Sequence, residues 1–390
     1  MPYAYIVEAA RTAGGRRKGA LSGWHPADMA AEILNALVER SGIDPAAIED
    51  VIMGCVSQGG EQSTALGRNA VLASKLPRSV PGVTIDRQCG SSQQALQFAA
   101  QAVMSGTQDM VIAAGVESMS RVPMNSAIDV YAQAGMGKGP WSDRIQHTYG
   151  VREFSQFRGA QMIADKYGFT REDMDRFALE SHQRAARATE SGAFNSEIVP
   201  LDIGTSAGAV AHVQDEGIRY DASLESIGSV RTLQEGGTIT AANASQVCDG
   251  ASGILVASEA ALKTHGLEPS ARIASLLVTA GDPVIMLEEP VFSTQKALVR
   301  QNMKIEDIDL YEVNEAFASV PMAWLRMLDA DPARMNVNGG AIALGHPLGA
   351  SGTKLMTTLV HALRARGGRF GLQTMCEGGG MANVMIVEAM

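Results

Sequence analysis

Apolar positions along the chain alternate between short strand-like runs and faces at helical spacing. Residues 3–8 read as a strand, after which Ala30, Ile33, Leu34, Leu37 and Val38 recur at helical intervals with Gly42 just beyond them. Residues 51–53 and 83–85 are further strand signals. Beyond Cys89 the spacing predicts a helix whose Ala95, Phe98, Ala99, Ala102 and Val103 share one face, and residues 110–114 return to strand. Strands and helices alternating at this pace imply an α/β layered sheet.

The same order returns near the C-terminus. Ile305-Glu306-Asp307-Ile308 echoes Ile48-Glu49-Asp50-Val51, and the glycine-rich turn into a helix at Gly349 echoes the one at Cys89, at offsets of 257 and 260 residues. Two echoes at nearly one offset point to a duplicated α/β unit, with a site where loops of both halves meet. Between about residues 118 and 250 the texture changes. Gly135, Gly137, Gly139 and Trp141 mark loops, and a charged helix is expected from Thr170, with Asp173 three residues on, to a stop at Gly192. This stretch reads as an insertion in the first half, placed to carry ligand contacts.

Composition narrows the class. At about 150 residues per domain, 390 residues allow two to three domains, which excludes a small stapled scaffold. A net charge of −10 is the wrong sign for nucleic acid or an anionic membrane face, so an anionic ligand needs a local basic patch. Residues 88–108 form the longest charge-free helical stretch but carry six Gln, which argues against a membrane span. The N-terminal segment contains Glu8 and Arg11 and the C-terminus reads Glu388-Ala389-Met390, so neither a secretory or transit peptide nor a peroxisomal address is expected. Cys55, Cys89, Cys248 and Cys376 form no CxxC or Cys/His pair, which argues against disulfides and zinc and for reduced thiols in the cytoplasm.

Four segments carry candidate chemistry. Cys89 stands at a strand-to-helix turn before Gly90, Ser91 and Ser92, where free N–H groups and the helix dipole are expected to favour the thiolate. Position alone leaves open a nucleophile or a packed structural cysteine. His346 lies in a loop rich in glycine, residues 338–352, where it is either a base or a satisfied histidine. Cys376 precedes Gly378-Gly379-Gly380, which offers backbone N–H groups for an oxyanion hole or a plain hairpin. Asn314, at the end of a strand-like run, either holds a water or a histidine or caps a helix.

Together these segments resemble thiolases, the acyl-CoA C-acyltransferases. Cys89-Gly90-Ser91-Ser92, Asn314-Glu315-Ala316-Phe317-Ala318, Gly345-His346-Pro347 and Cys376-x-Gly378-Gly379-Gly380 occur in that family's order and spacing. The likeness runs from Ala9-Ala10-Arg11-Thr12 through Gly115-Val116-Glu117-Ser118-Met119-Ser120 to the last strand. It implies two βαβαβαββ halves in an α/β/α/β/α arrangement, residues 1–268 and 269–390, with an inserted loop domain at 119–249, assembled as a homodimer or homotetramer. Acyl-CoA and coenzyme A are then the partners, as substrates and products, with no permanently bound cofactor and no metal.

The resemblance also implies roles. Cys89 takes the acyl group as a thioester, His346 activates it, and Cys376 moves the proton at the α-carbon or on the incoming thiol. Asn314 holds a water beside His346 at the enolate oxygen, and the N–H groups of Cys89 and Gly378 face the tetrahedral oxygen. Arg219 resembles the arginine packed on adenine, and Ser245 the serine contacting pantetheine.

Departures fall where the acyl chain and pantetheine pass: Ser91-Ser92 for Ser-Gly, Ala244-Ser245-Gln246 for Ala-Ser-Gly, Met286-Leu287-Glu288-Glu289-Pro290 for Met-Gly-x-Gly-Pro, and an altered segment at residues 156–161. Thiolytic cleavage of 3-ketoacyl-CoA is therefore favoured over the alternative, acetoacetyl-CoA synthesis. A silent coenzyme A or lipid-binding relative would be free to lose Cys89, His346 or Cys376, and all three are present. A ketoacyl synthase does not explain the Cys376 triple-glycine motif, a cysteine hydrolase needs no second cysteine, and a dinucleotide dehydrogenase lacks GxGxxG at the first helix.

Overall fold

The computed structural model describes residues 2–204 and 208–390. Its first half contains strands β1 (Ala4–Thr12), β2 (Asp50–Gly54), β3 (Gly82–Ile85), β4 (Met110–Ser118) and β5 (Cys248–Ser258). The second contains β6 (Ala271–Ala280), β7 (Leu310–Val313), β8 (Phe370–Glu377) and β9 (Met381–Ala389). The neighbour order is β1-β5-β4-β2-β3 in one half and β6-β9-β8-β7 in the other. Senses match as well: each series runs antiparallel, antiparallel, then parallel. Duplication is thus visible in the topology, and the halves join where β1 meets β6 antiparallel, Tyr5 opposite Arg272.

Strand period and helix period together build the layers. On β1, Tyr5 and Val7 point into one core with α1 (Pro26–Ser41), whereas Ala4 and Ile6 point into another with α3 (Ser91–Ser105) and α9 (Ser351–Ala365). Helix α2 (Leu66–Ala73) joins α1 on its face. Helices α4 (Gln156–Tyr167) and α5 (Arg171–Glu190) belong to the insertion, and α6 (Glu289–Gln301) and α7 (Ser319–Leu328) cover the second half. The short helix α8 (Ala341–Leu344) leads into the loop before α9. Helices α3 and α9 therefore lie in the middle, between the sheets of the two halves.

That central position explains one difference from the sequence pattern. Ala95, Ala99 and Val103 are buried as expected, but Phe98 is 39 % exposed, at the edge of the helical arc. Gln93, Gln94 and Gln97 are buried instead, because a helix between two layers is covered on more than its apolar face. Gln97 Nε2, for example, donates to the carbonyls of Leu277 and Val384 in the second half.

Boundary signals behaved as local chemistry requires. Gly42 ends α1 in the left-handed region at φ 69°, and Thr170 forms a reciprocal capping box with Asp173 at the start of α5. The insertion returns to the sheet through Ile198–Val199, which pairs with β1. Buried Arg11 fixes it there, with Nε 2.6 Å from Glu197 and Nη1 2.9 Å from Asp215. Cys55 and Cys248 are both buried in the packed interior. Among the described residues, no helix is long and apolar enough to cross a membrane.

Candidate active site

Between β3 and α3 the chain makes a tight turn through residues 86–90. Gln88 adopts a left-handed φ of 49°, and the Ser91 hydroxyl donates to the Gln88 carbonyl at 2.6 Å while accepting from the Arg87 N–H at 2.9 Å. The turn presents Cys89 half-buried at the start of α3.

Facing it is the hairpin between β8 and β9. A Cβ added to Gly90 would lie 1.8 Å from Glu377 Oε1, and one added to Gly378 would lie 2.9 Å from Gln88 Oε1. Asn383 Nδ2 on β9 donates to the Gly90 carbonyl at 3.3 Å. The Cys89 turn is thereby seated on residues 376–378, with Cys376 fully buried beside it. Left-handed φ values of 88° and 77° at Gly379 and Gly380 close the hairpin, so the triple glycine is a turn as well as a source of N–H groups.

His346 arrives from the second half. A Cβ on Gly352 would stand 2.0 Å from the Gln93 nitrogen, and one on Gly115 would stand 2.2 Å from the Gly349 carbonyl, so only glycine lets α9 and its loop approach α3 and β4 so closely. Ser92, in the position of the family's glycine, accepts from the Thr353 N–H at 3.0 Å and ties the two helix starts together. The His346 N–H donates to the Gln246 carbonyl at 3.0 Å. Its ring is buried, with Nδ1 2.5 Å from Ser351 Oγ and Nε2 3.4 Å from Asn314 Nδ2. Asn314 Oδ1 is buried and without a partner among the described residues, which leaves an acceptor for a water or ligand at this spot.

Burial, then Lys354, pushes His346 down to about 3, so the ring is neutral. Burial, then the carboxylate of Glu377, pushes the Cys89 thiol up to about 12. This overturns the expectation that the helix start favours the thiolate: desolvation and a nearby acid outweigh the N–H groups. Cys376 lies well above the ordinary thiol range through burial and then the neighbouring Cys89. The arrangement is a pair of resting thiols with a neutral imidazole, fit for proton transfer during reaction.

Of the other sequence candidates, Ser245 is close to this centre: its N–H donates to the Ala316 carbonyl at 2.9 Å. Arg219 is exposed, its N–H donating to His182 Nδ1 at 3.2 Å, and no contact among the described residues ties it to the cysteine and histidine centre. Met286 and Leu287 are buried in one cluster with Phe317, Ile342 and Cys376, and Phe157 packs edge-on to Phe317 at 5.6 Å. Sequence reading missed Ser351, Gln246, Lys354 and Glu377. Lys354 holds the Leu344 and Gly345 carbonyls at 2.6 and 3.1 Å just before His346. The available signal was position: Ser351 and Glu377 lie in the two glycine-rich motifs, Lys354 just beyond the first of them, and Gln246 next to Ser245.

Residues 4–260 match the family model for the thiolase N-terminal domain and residues 267–389 that for the thiolase C-terminal domain. The chain is 52% identical over 390 residues to a steroid 3-ketoacyl-CoA thiolase of Mycobacterium tuberculosis, covering 100% of this chain and 94% of that one. It is 42% identical over 399 residues to a beta-ketoadipyl-CoA thiolase of Escherichia coli, covering 100% of both. The crystal structure of the Bacillus anthracis acetyl-CoA acetyltransferase superposes with a TM-score of 0.90 at 34% identity, covering 100% of this chain and 99% of that one. With matching domains along nearly its whole length, the chain belongs to the thiolase family and is an acyltransferase of that class.

Proposed function

We propose that the protein cleaves 3-ketoacyl-CoA with coenzyme A through a Cys89 acyl-enzyme. The observation that carries the reading is the pairing of the Cys89 turn with the 376–378 hairpin, beside an imidazole whose Nε2 faces Asn314. His346 Nε2 takes the Cys89 proton as sulfur attacks the 3-keto carbon. The tetrahedral oxygen meets the N–H groups of Cys89 and Gly378, and the carbon–carbon bond then breaks with its electrons moving to the α-carbon. Cys376 gives that carbon a proton, and acetyl-CoA leaves. Incoming coenzyme A returns a proton to Cys376 and attacks the Cys89 thioester; the bond between the acyl carbon and Cys89 sulfur breaks, acyl-CoA leaves, and the released sulfur takes its proton back from His346. His346 and a water on Asn314 stabilise the enolate oxygen, and the reverse sequence is the Claisen condensation.

Arg219 and Ser245 take the adenine and pantetheine ends of coenzyme A in this reading, which needs no resident cofactor. The halves divide at 268/269, with the insertion at 119–249. We place the enzyme in the cytoplasm as a homodimer or homotetramer. In support, β3 pairs only with β2 among the described residues and leaves Val83 44 % exposed on a free edge. Incubation with acetoacetyl-CoA followed by intact mass measurement tests the reading. One acetyl adduct on the wild type and none on Cys89→Ala is the expected result; equal adduct on both overturns it.

A further inference from the structure

Glu377 is a buried acid, next to Cys376, that the catalytic sequence above leaves unused. It is fully buried, and neither carboxyl oxygen has a hydrogen-bond partner among the described residues. Its Oε1 rests against the Cα of Gly90, where any side chain at position 90 would displace it. It follows Cys376 directly, and across the hairpin it stands opposite Met381. An acid in such a place, one residue from each of the two cysteine positions, is expensive to bury unless it is protonated.

We propose that Glu377 is a positioning residue for the nucleophile, whose carboxyl, lodged under the Cys89 turn and beside both cysteines, governs when Cys89 gives up its proton. The proposal rests on the acyl-enzyme role of Cys89. Unionised, the carboxyl adds no charge and the thiol can pass its proton to His346. Ionised, it places a negative charge beside the sulfur and opposes thiolate formation. Burial, moderated by Arg87, pushes Glu377 up to about 8, so the change falls on the alkaline side of neutrality. The charged and titratable groups around the pair are Asp86 and Arg87 from the turn, Glu117 from β4, Cys376 from β8 and, on the proposed mechanism, the neutral His346 from the loop before α9; β9 contributes the uncharged Met381 and Asn383.

The test is the pH dependence of Cys89 alkylation by iodoacetamide, followed peptide by peptide, in wild type, Glu377→Gln and Glu377→Asp. Wild type and Gln should react alike near pH 6.5, and the Gln variant should pull ahead by about tenfold near pH 9. Glu377→Asp, which keeps the charge, should follow the wild-type profile. Should Gln prevent folding, as read by thermal melting, uncharged Glu377→Leu takes its place with the same expectation. Parallel profiles for charged and uncharged variants overturn the proposal. An acetyl adduct still formed on Cys89 in those variants would show that the acyl-enzyme reading survives its loss.

Discussion

The Ser351 hydroxyl links His346 to the backbone of its own loop, 2.5 Å from Nδ1 and 2.9 Å from the Pro347 carbonyl to which it donates. With its one proton so used, the hydroxyl accepts from Nδ1–H, which leaves Nε2 as the bare nitrogen. Ser351 is also the first residue of α9, whose Gly352 lies against Gln93 in α3. The helix that orients His346 therefore packs directly on the helix that begins beside Cys89, so distances across the site are set by the two halves together.

Removing that hydroxyl frees the imidazole to adopt the other tautomer. Ser351→Ala should lower kcat for acetoacetyl-CoA thiolysis about tenfold with KM little changed, and cost about 1 kcal/mol of stability. Steady-state kinetics and a denaturant titration check this, and an unchanged kcat would refute the orienting role.

Cys376→Ser should separate the half-reactions. In the proposed scheme the first acyl transfer to Cys89 needs His346, whereas proton return at the α-carbon needs Cys376, so the variant should still accept an acetyl group from acetyl-CoA but lose most turnover. His346→Ala should impair both. Normal turnover by Cys376→Ser would replace the two-cysteine scheme with a Cys/His one.

Gly352→Ala tests the seam between the halves. Its Cβ would fall 2.0 Å from a backbone nitrogen of α3, which rotamer change cannot relieve. We expect a loss of about 3 kcal/mol or more in unfolding free energy together with most activity, whereas the exposed Gly106→Ala should leave kcat unchanged despite its strained φ. Retained activity and stability in Gly352→Ala would mean that the helices can move apart.

Much of this fold was legible because its cues are local. The duplicated order followed from apolar runs and two glycine-rich turns, and Gly42, Thr170 and Asp173 marked helix ends through caps that a linear sequence displays. Cys89, His346, Cys376 and Asn314 stood out as chemistry in distinctive motifs. What stayed hidden depends on contacts between distant segments. Phe98 faces solvent because buried glutamines fill the central layer, and the thiol of Cys89 is pushed up first by burial and then by an acid 288 residues away in sequence, Glu377. No helix-terminus argument contains that acid.

The imidazole of His182 gives the stability an acid-side dependence. Burial, then Arg219, pushes it down to about 4, below its ordinary value, so between those two values the unfolded chain binds the extra proton. Its contribution is present above about pH 6.5 and is lost as pH falls toward 4, reaching about 2 kcal/mol at pH 5. His182→Gln, which can still accept from the Arg219 N–H, should therefore gain about that much on the wild type between pH 7.5 and pH 5. Denaturant midpoints at the two pH values decide it; a constant gap between the proteins would contradict the assignment.

Substrate size is the remaining question, and we expect its determinants among Met286, Leu287 and Phe317, which pack together in the cluster that contains Cys376, and Phe157, which packs on Phe317. Phe157 is 38 % exposed, so its ring has an open side, while its other side is braced by Phe317, three residues after Asn314. Met286 holds a left-handed φ of 61°, which commits its side chain to the cluster containing Cys376. A wall with one open aromatic and no glycine in the 286–289 segment should favour acyl groups that reach the ring. Each methylene gained or lost changes discrimination by only about 1–3 kcal/mol, so the preference should be graded. We expect acetoacetyl-CoA to be cleaved, a six-carbon or bulkier 3-ketoacyl-CoA to show a higher kcat/KM, and Phe157→Ala to reduce that advantage while sparing acetoacetyl-CoA. Activity confined to acetoacetyl-CoA in the wild type would instead make this a short-chain enzyme.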